Sequence, residues 1–218
     1  MRSWHIVLAL VALAAAAAGQ EPPSAPDLSL PGLDGGDLAR TGLDRERRAR
    51  IEGALREGAY DRAEALLQEV VELALGKVGL VIEIKQVPAL YPGLEEKLLN
   101  MLRQLGAMSE CAVVSFNHAA IHELRKMEPA LQLGIIEGAR PMHPGRMLRE
   151  AGADVYSPHW GAADPQVVQE VHAAGGAVGV WPVDDDTAVA WCKWSKPDSI
   201  FTNRPKEIGA ALRNWAVV

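Results

Sequence analysis

The sequence predicts an α/β fold: an incomplete TIM-type (β/α) barrel of about six parallel strands, preceded by an α-helical hairpin. Two patterns and one bulk property point to it. From Gly76 onward, short β-rich apolar runs alternate with stretches of helical periodicity. Such alternation makes each helix a crossover, and crossovers join parallel strands. The chain has 218 residues, 49% apolar and 23% charged, which is the composition of a globular domain rather than of a disordered tail or a fibre.

The stretch ahead of the barrel divides into three. Residues 1–20 read as a secretory signal peptide: Arg2 gives a positive start, residues 6–18 are an unbroken apolar run, and Ala16, Ala17, Ala18 and Gly19 are small enough for cleavage. As a helix that run would cover about 20 Å, short of the ~30 Å hydrocarbon core, so no stable membrane span is expected. The alternative is an uncleaved anchor. Export to the periplasm or the medium follows from the first reading. Residues 21–37 hold Pro22, Pro23, Pro26, Pro31, Gly32, Gly35 and Gly36, which rules out a helix or a central strand and leaves a linker. Residues 38–75 form the hairpin. Ile51 and Leu55, then Ala63, Leu66, Leu67, Val70, Val71 and Leu75, recur at helical steps, with a break at Gly58. The run Gly58-Ala59-Tyr60-Asp61-Arg62-Ala63 resembles the turn of a tetratricopeptide repeat, although one copy cannot build an array. A plain hairpin packed on the next domain is the other reading.

Residues 76–218 make the barrel domain. Its expected strands are 78–85, 112–116, 132–136, 153–157, 177–183 and 199–202. The expected helices are 93–105, 118–127, 145–151, 164–174, 185–194 and 205–214. Leu94, Leu98, Met101, Leu102 and Leu105 line one face of the first of these helices. Asn117 and Asp164 stand at cap positions, Pro165 suits a first turn, and Gly175-Gly176 ends a helix. An unclosed barrel leaves strand edges, so self-association across the open edge is expected unless the helical pair covers it.

With 22 basic against 28 acidic side chains the net charge is −6, so no nucleic-acid partner is expected. Two cysteines, Cys111 and Cys192, are too few for a disulfide scaffold or a zinc site of their own. They are a pair or two buried thiols. Within Ile82-Glu83-Ile84-Lys85, Glu83 and Lys85 share one face of a strand. Burying both is costly unless they pair or face a polar site. At a barrel mouth the carboxylate could hold a hard cation and the lysine a phosphate oxygen. On an edge strand the same two would merely face water. Ser115-Phe116-Asn117-His118, Ser157-Pro158-His159-Trp160, Trp181-Pro182-Val183 and Thr202-Asn203-Arg204-Pro205 each place polar or aromatic groups at a strand end. In parallel α/β folds these ends gather on one side, where ligands bind.

Together with Tyr91-Pro92-Gly93-Leu94-Glu95, and in this order, these segments resemble the glycerophosphodiester phosphodiesterase family over about residues 77–209. The resemblance implies a (β/α)₈ barrel that cleaves a small-molecule glycerophosphodiester to glycerol 3-phosphate and an alcohol, a step of lipid metabolism, with bound Ca²⁺ or Mg²⁺. It further implies Glu83 as a metal ligand, Lys85 beside the substrate phosphate, and Phe116 and Trp181 on the glycerol side. The family also carries a His-Arg-Gly strand end, a Glu-x-Asp pair and a second histidine, which supply the acid, the base and two metal ligands. None of them precedes Glu83 here, so no catalytic residue is assigned. Metal-assisted hydrolysis is the first functional reading. A non-catalytic module that binds a phosphate-bearing ligand or a protein is the alternative.

Overall fold

A β-branched run that is apolar throughout can be buried on both faces, as the strands of a parallel sheet are. In the computed structural model, which describes residues 7–11, 50, 60–85 and 93–212, seven parallel strands lie side by side in sequence order. They are β1 (Val7–Val11), β2 (Leu80–Ile84), β3 (Cys111–Ser115), β4 (Gln132–Glu137), β5 (Val155–Pro158), β6 (Ala177–Val180) and β7 (Ser199–Ile200). Helices alternate with them: α1 (Tyr60–Ala74), α2 (Leu94–Gln104), α3 (His118–Met127), α4 (Pro144–Ala151), α5 (Pro165–Ala173), α6 (Asp186–Ser195) and α7 (Pro205–Leu212). The α/β class is as expected, and the six expected strands are β2 to β7.

Side chains alternate across each strand. Leu80, Ile82 and Ile84, Val113, Leu133 and Ile135, Tyr156, and Val178 and Val180 pack in the main core with the helices. Val81, Val114 and Ile136 point the other way, into a smaller cluster with Ala112, Trp181 and Phe201. That second face is the inside of the barrel. Each fully buried Leu or Ile contributes about 1.5–3 kcal/mol, so the thicker helix-facing core carries most of the stability. The helix layer closes tightly at Gly145 of α4, where a Cβ would lie 2.8 Å from the Glu170 carbonyl of α5.

Two segments ahead of β2 join the same sheet and core. Val7–Val11 falls inside the expected signal peptide, yet it pairs with β2 along its whole length, from Val7 opposite Leu80 to Val11 opposite Ile84. A short unbroken apolar run suits a leader and a buried strand equally, and periodicity does not separate them. The second is α1, whose Leu66, Leu67, Val70, Val71 and Ala74 share one core with Leu80, Ile82 and Ile84 of β2 and Val113 of β3, as the reading of a helix packed on the next domain expects. The boundary at residues 75 and 76 is therefore no break in packing, and α1 is one more crossover helix, between β1 and β2. The linker, the turn at Gly58 and the Tyr91-Pro92 pair lie outside the described residues.

Caps and loops follow the sequence more closely. Asn117 accepts from the Ala119 and Ala120 N–H groups, Asp185 from Ala188 and Asp164 from Val167. Burial raises the Asp164 carboxyl, but the Val167 N–H and the Arg140 guanidinium outweigh it and hold the group below its ordinary value. A depressed folded-state value stabilises above the carboxylate range, and the contribution is lost as pH falls through it. Asp164→Ala is expected to cost about 1 kcal/mol at neutral pH, with a gap that narrows in acid. Urea melts that stayed equally far apart at both pH values would contradict this. Cys111 and Cys192 are buried free thiols. Burial, helped by Glu110, pushes Cys111 up to about 12, and burial pushes Cys192 up to about 11. No helix among the described residues is long and apolar enough to cross a membrane.

Candidate functional site

The site begins with the alternation of β2. Ile82 and Ile84 face the helices, which turns Glu83 inward beside Val81. Glu83 is 5% exposed. A carboxylate so buried requires a counter-charge, and the Lys85 ammonium supplies one by ion-pairing with Glu83 Oε1. The next strand is tied to this one. Ser115 Oγ donates to the Ile84 carbonyl at 2.7 Å and accepts from the Asn117 N–H at 3.0 Å. These two hydrogen bonds set the turn in which Asn117 caps α3 and Phe116 projects from the strand end.

Phe116 is 42% exposed. Lys85 Nζ lies 5.9 Å from its ring centroid, an arrangement worth about 0.5–1 kcal/mol at an accessible site. Phe116 also meets Trp181, at 5.7 Å and nearly perpendicular. Trp181 is held by its indole N–H, which donates to the Ser157 carbonyl at 2.8 Å. Its ring also meets His159 at 5.8 Å. Asp184 orders the last loop, accepting from Thr202 Oγ1, the Asn203 N–H and Asn203 Nδ2.

Glu83, Lys85, Phe116 and Trp181 are thus linked, contact by contact, at the carboxyl ends of the strands. His159 joins them. His118 lies at the end of β3 with Nε2 3.1 Å from the Ile136 carbonyl. His122 is exposed on α3, and His172 pairs with Asp198 ahead of β7, at the opposite end of the sheet. A groove of about 380 Å³ lined by His143, Arg146, Arg149 and Glu170 belongs to the outer helix layer and includes none of the four site residues.

A hard divalent cation takes six or more oxygen ligands. The strand ends described here offer the Glu83 carboxylate, already engaged by an ammonium, and the Glu137 carboxylate at the end of β4, which accepts from the Ala139 N–H, and no group of three or more His, Cys, Asp or Glu among the described residues could hold a metal. These residues do not by themselves fit Ca²⁺ or Mg²⁺.

Sequence reasoning missed the continuation of the aromatic cluster. From His159 the rings run to Trp160 at 5.3 Å, Trp191 at 5.9 Å and Trp194 at 4.8 Å. The signal for part of it was the three-residue spacing of Trp191 and Trp194, which puts both on neighbouring turns of one helix.

Comparison with known proteins places this site in context. The model of the glycerophosphoryl diester phosphodiesterase family matches residues 36–207, a span that includes α1. A glycerophosphodiester phosphodiesterase of Caldanaerobacter subterraneus subsp. tengcongensis is 30% identical over 143 residues, which are 65% of this chain and 59% of that protein. A glycerophosphodiester phosphodiesterase structure from Parabacteroides distasonis matches with a TM-score of 0.61 at 21% identity, covering 68% of this chain and 64% of the other. A phosphodiesterase from Oleispira antarctica, in complex with the product sn-glycerol-3-phosphate, matches with a TM-score of 0.56 at 21% identity, covering 69% of this chain and 65% of the other. These structural likenesses show the fold. The chain spans 59% of the length of the first curated relative.

Proposed function

Because this chain belongs to the glycerophosphoryl diester phosphodiesterase family, we propose that its barrel mouth takes a glycerophosphodiester and serves hydrolysis to glycerol 3-phosphate and an alcohol. The observation that carries the proposal is the Lys85 ammonium, held between the Glu83 carboxylate and the Phe116 ring at the strand ends. Lys85 would bind a phosphate oxygen as a charge-assisted donor. Glu83 fixes the ammonium in place. Phe116 and Trp181 give the glycerol carbons two nearly perpendicular walls. Glu83 is also the residue that would reach a divalent cation if further ligands were supplied. Export, read from residues 1–20, is part of the proposal and competes with the place of residues 7–11 in the sheet.

A non-catalytic binding module is the second reading, favoured by the state of the nearby imidazoles. His118 Nε2 is engaged at the Ile136 carbonyl, and His159 Nδ1 accepts from the Gly161 N–H. Proton transfer needs a group within reach of the reacting oxygens. Two measurements on the full chain separate the readings: calorimetry with sn-glycerol 3-phosphate, and hydrolysis of glycerophosphocholine with Ca²⁺ or Mg²⁺. Binding is expected, weakened roughly 10–100-fold in folded Lys85→Met. Turnover supports the hydrolase; binding without turnover supports the module. No binding at all would remove the mouth as a phosphate site.

A further inference from the structure

We infer that the carboxyl end of α6, in the outer helix layer and independent of the mouth, docks the protein on the anionic surface of a lipid bilayer. Three features meet there. The first is an indole in water. Trp194 is 56% exposed, and no hydrogen bond among the described residues uses its ring N–H. The ring is braced by Trp191, at 4.8 Å and an angle of 74°. Trp191 is fixed in turn by its own indole N–H, which donates to the Ala163 carbonyl at 2.8 Å. A ring already held loses little freedom on docking. An apolar body with an unspent N–H suits the headgroup boundary, where one end of an indole is dry and the other wet.

The second feature is charge. Lys193 and Lys196 flank Trp194 in the chain and are exposed, and no ion pair among the described residues engages either. Residues 187–197 contain no Asp or Glu. Asp198, the next acid along, is taken by His172 and the Val178 N–H. In a chain of net charge −6 this end is locally cationic, which complements lipid phosphates. The third feature is the backbone. Lys196 ends α6 at a φ of 55° and is the one non-glycine residue at positive φ among those described. Glycine is favoured at such a position, and Gly152 fills it at the end of α4. Lys193 in the last turn already meets the helix dipole, so the second lysine keeps a cation beside Trp194 at a cost in stability. A stable protein interface buries about 800 Å² on each side, far more than one indole and two lysines present, whereas a bilayer moulds itself around a protruding ring.

The test is flotation of the full chain with vesicles of phosphatidylcholine and phosphatidylglycerol in equal parts, against vesicles of phosphatidylcholine alone. The chain is expected to float with the anionic vesicles, and less so as salt rises, because the lysine contribution is screened. Trp194→Ala should weaken the partition on the order of tenfold, and Trp194→Phe should restore part of it. Lys196→Gly should weaken it about fivefold and at the same time raise the urea midpoint, opposite changes that a purely structural lysine would not give. The apolar run at residues 6–18 is the same in every variant, so differences between variants report on the end of α6. No flotation with anionic vesicles, equal flotation with neutral ones, or flotation that survives either Trp194→Ala or Lys196→Gly would overturn the inference. Binding to soluble polyglutamate but not to vesicles would assign this end to an acidic peptide and overturn it as well.

Discussion

Arg125→Ala is expected to lower the unfolding free energy by about 3 kcal/mol, a large loss for a residue outside the apolar core. The guanidinium stitches three segments together. Its Nε donates to the Gly152 carbonyl at 2.6 Å, one terminal nitrogen to Pro129 at 2.6 Å and Leu131 at 3.0 Å, and the other to Asp154 at 2.6 Å. Gly152 makes room for it: with φ at 67°, a Cβ there would lie 2.9 Å from Arg125 Cγ. Alanine would strand those acceptors, and Arg125→Lys should recover little, because one ammonium cannot reproduce the planar fork. Urea melts read the effect, and a loss under about 0.5 kcal/mol, the scale of an ordinary surface change, would show that the network contributes little. The same device recurs two strands on in weaker form. Asp154 receives the Leu133 N–H at 2.9 Å, and Asp198 receives the Val178 N–H at 2.7 Å with His172 in the place of the arginine.

The second large effect belongs to the site. Lys85→Met leaves the Glu83 carboxylate buried without its ammonium, and breaking a buried pair from one side costs about 3–5 kcal/mol. Replacing both residues by methionine should recover much of the stability, because well-packed apolar side chains replace the buried charge, while phosphate-ligand binding stays lost. Denaturant melts of the single and double variants check this. A double variant no more stable than the single would mean that the pair does not act as a unit.

Much of the barrel could be read in advance because its signals are local. The inward turn of Glu83 and Lys85 follows from strand alternation, and Asn117, Asp164 and Asp185 cap helices as their residue types favour. Residues 7–11 could not be assigned in the same way. An apolar run without alternation has the same appearance in a leader and in a strand covered on both sides, and the choice depends on whether a partner such as β2 is at hand. The place of α1 was hidden for a related reason: amphipathic spacing shows that a helix has an apolar face, not which surface that face meets.

By itself, the sequence determined the alternation of strand and helix, the residue types at the strand ends and the shared face of Glu83 and Lys85, since each depends on neighbours within a few positions. The tertiary structure decided that Lys85 rests against Phe116, that Phe116 meets Trp181, and that the rings continue to Trp194. The first two contacts join residues far apart in the chain, and they exist because parallel register brings distant strand ends to one side of the sheet.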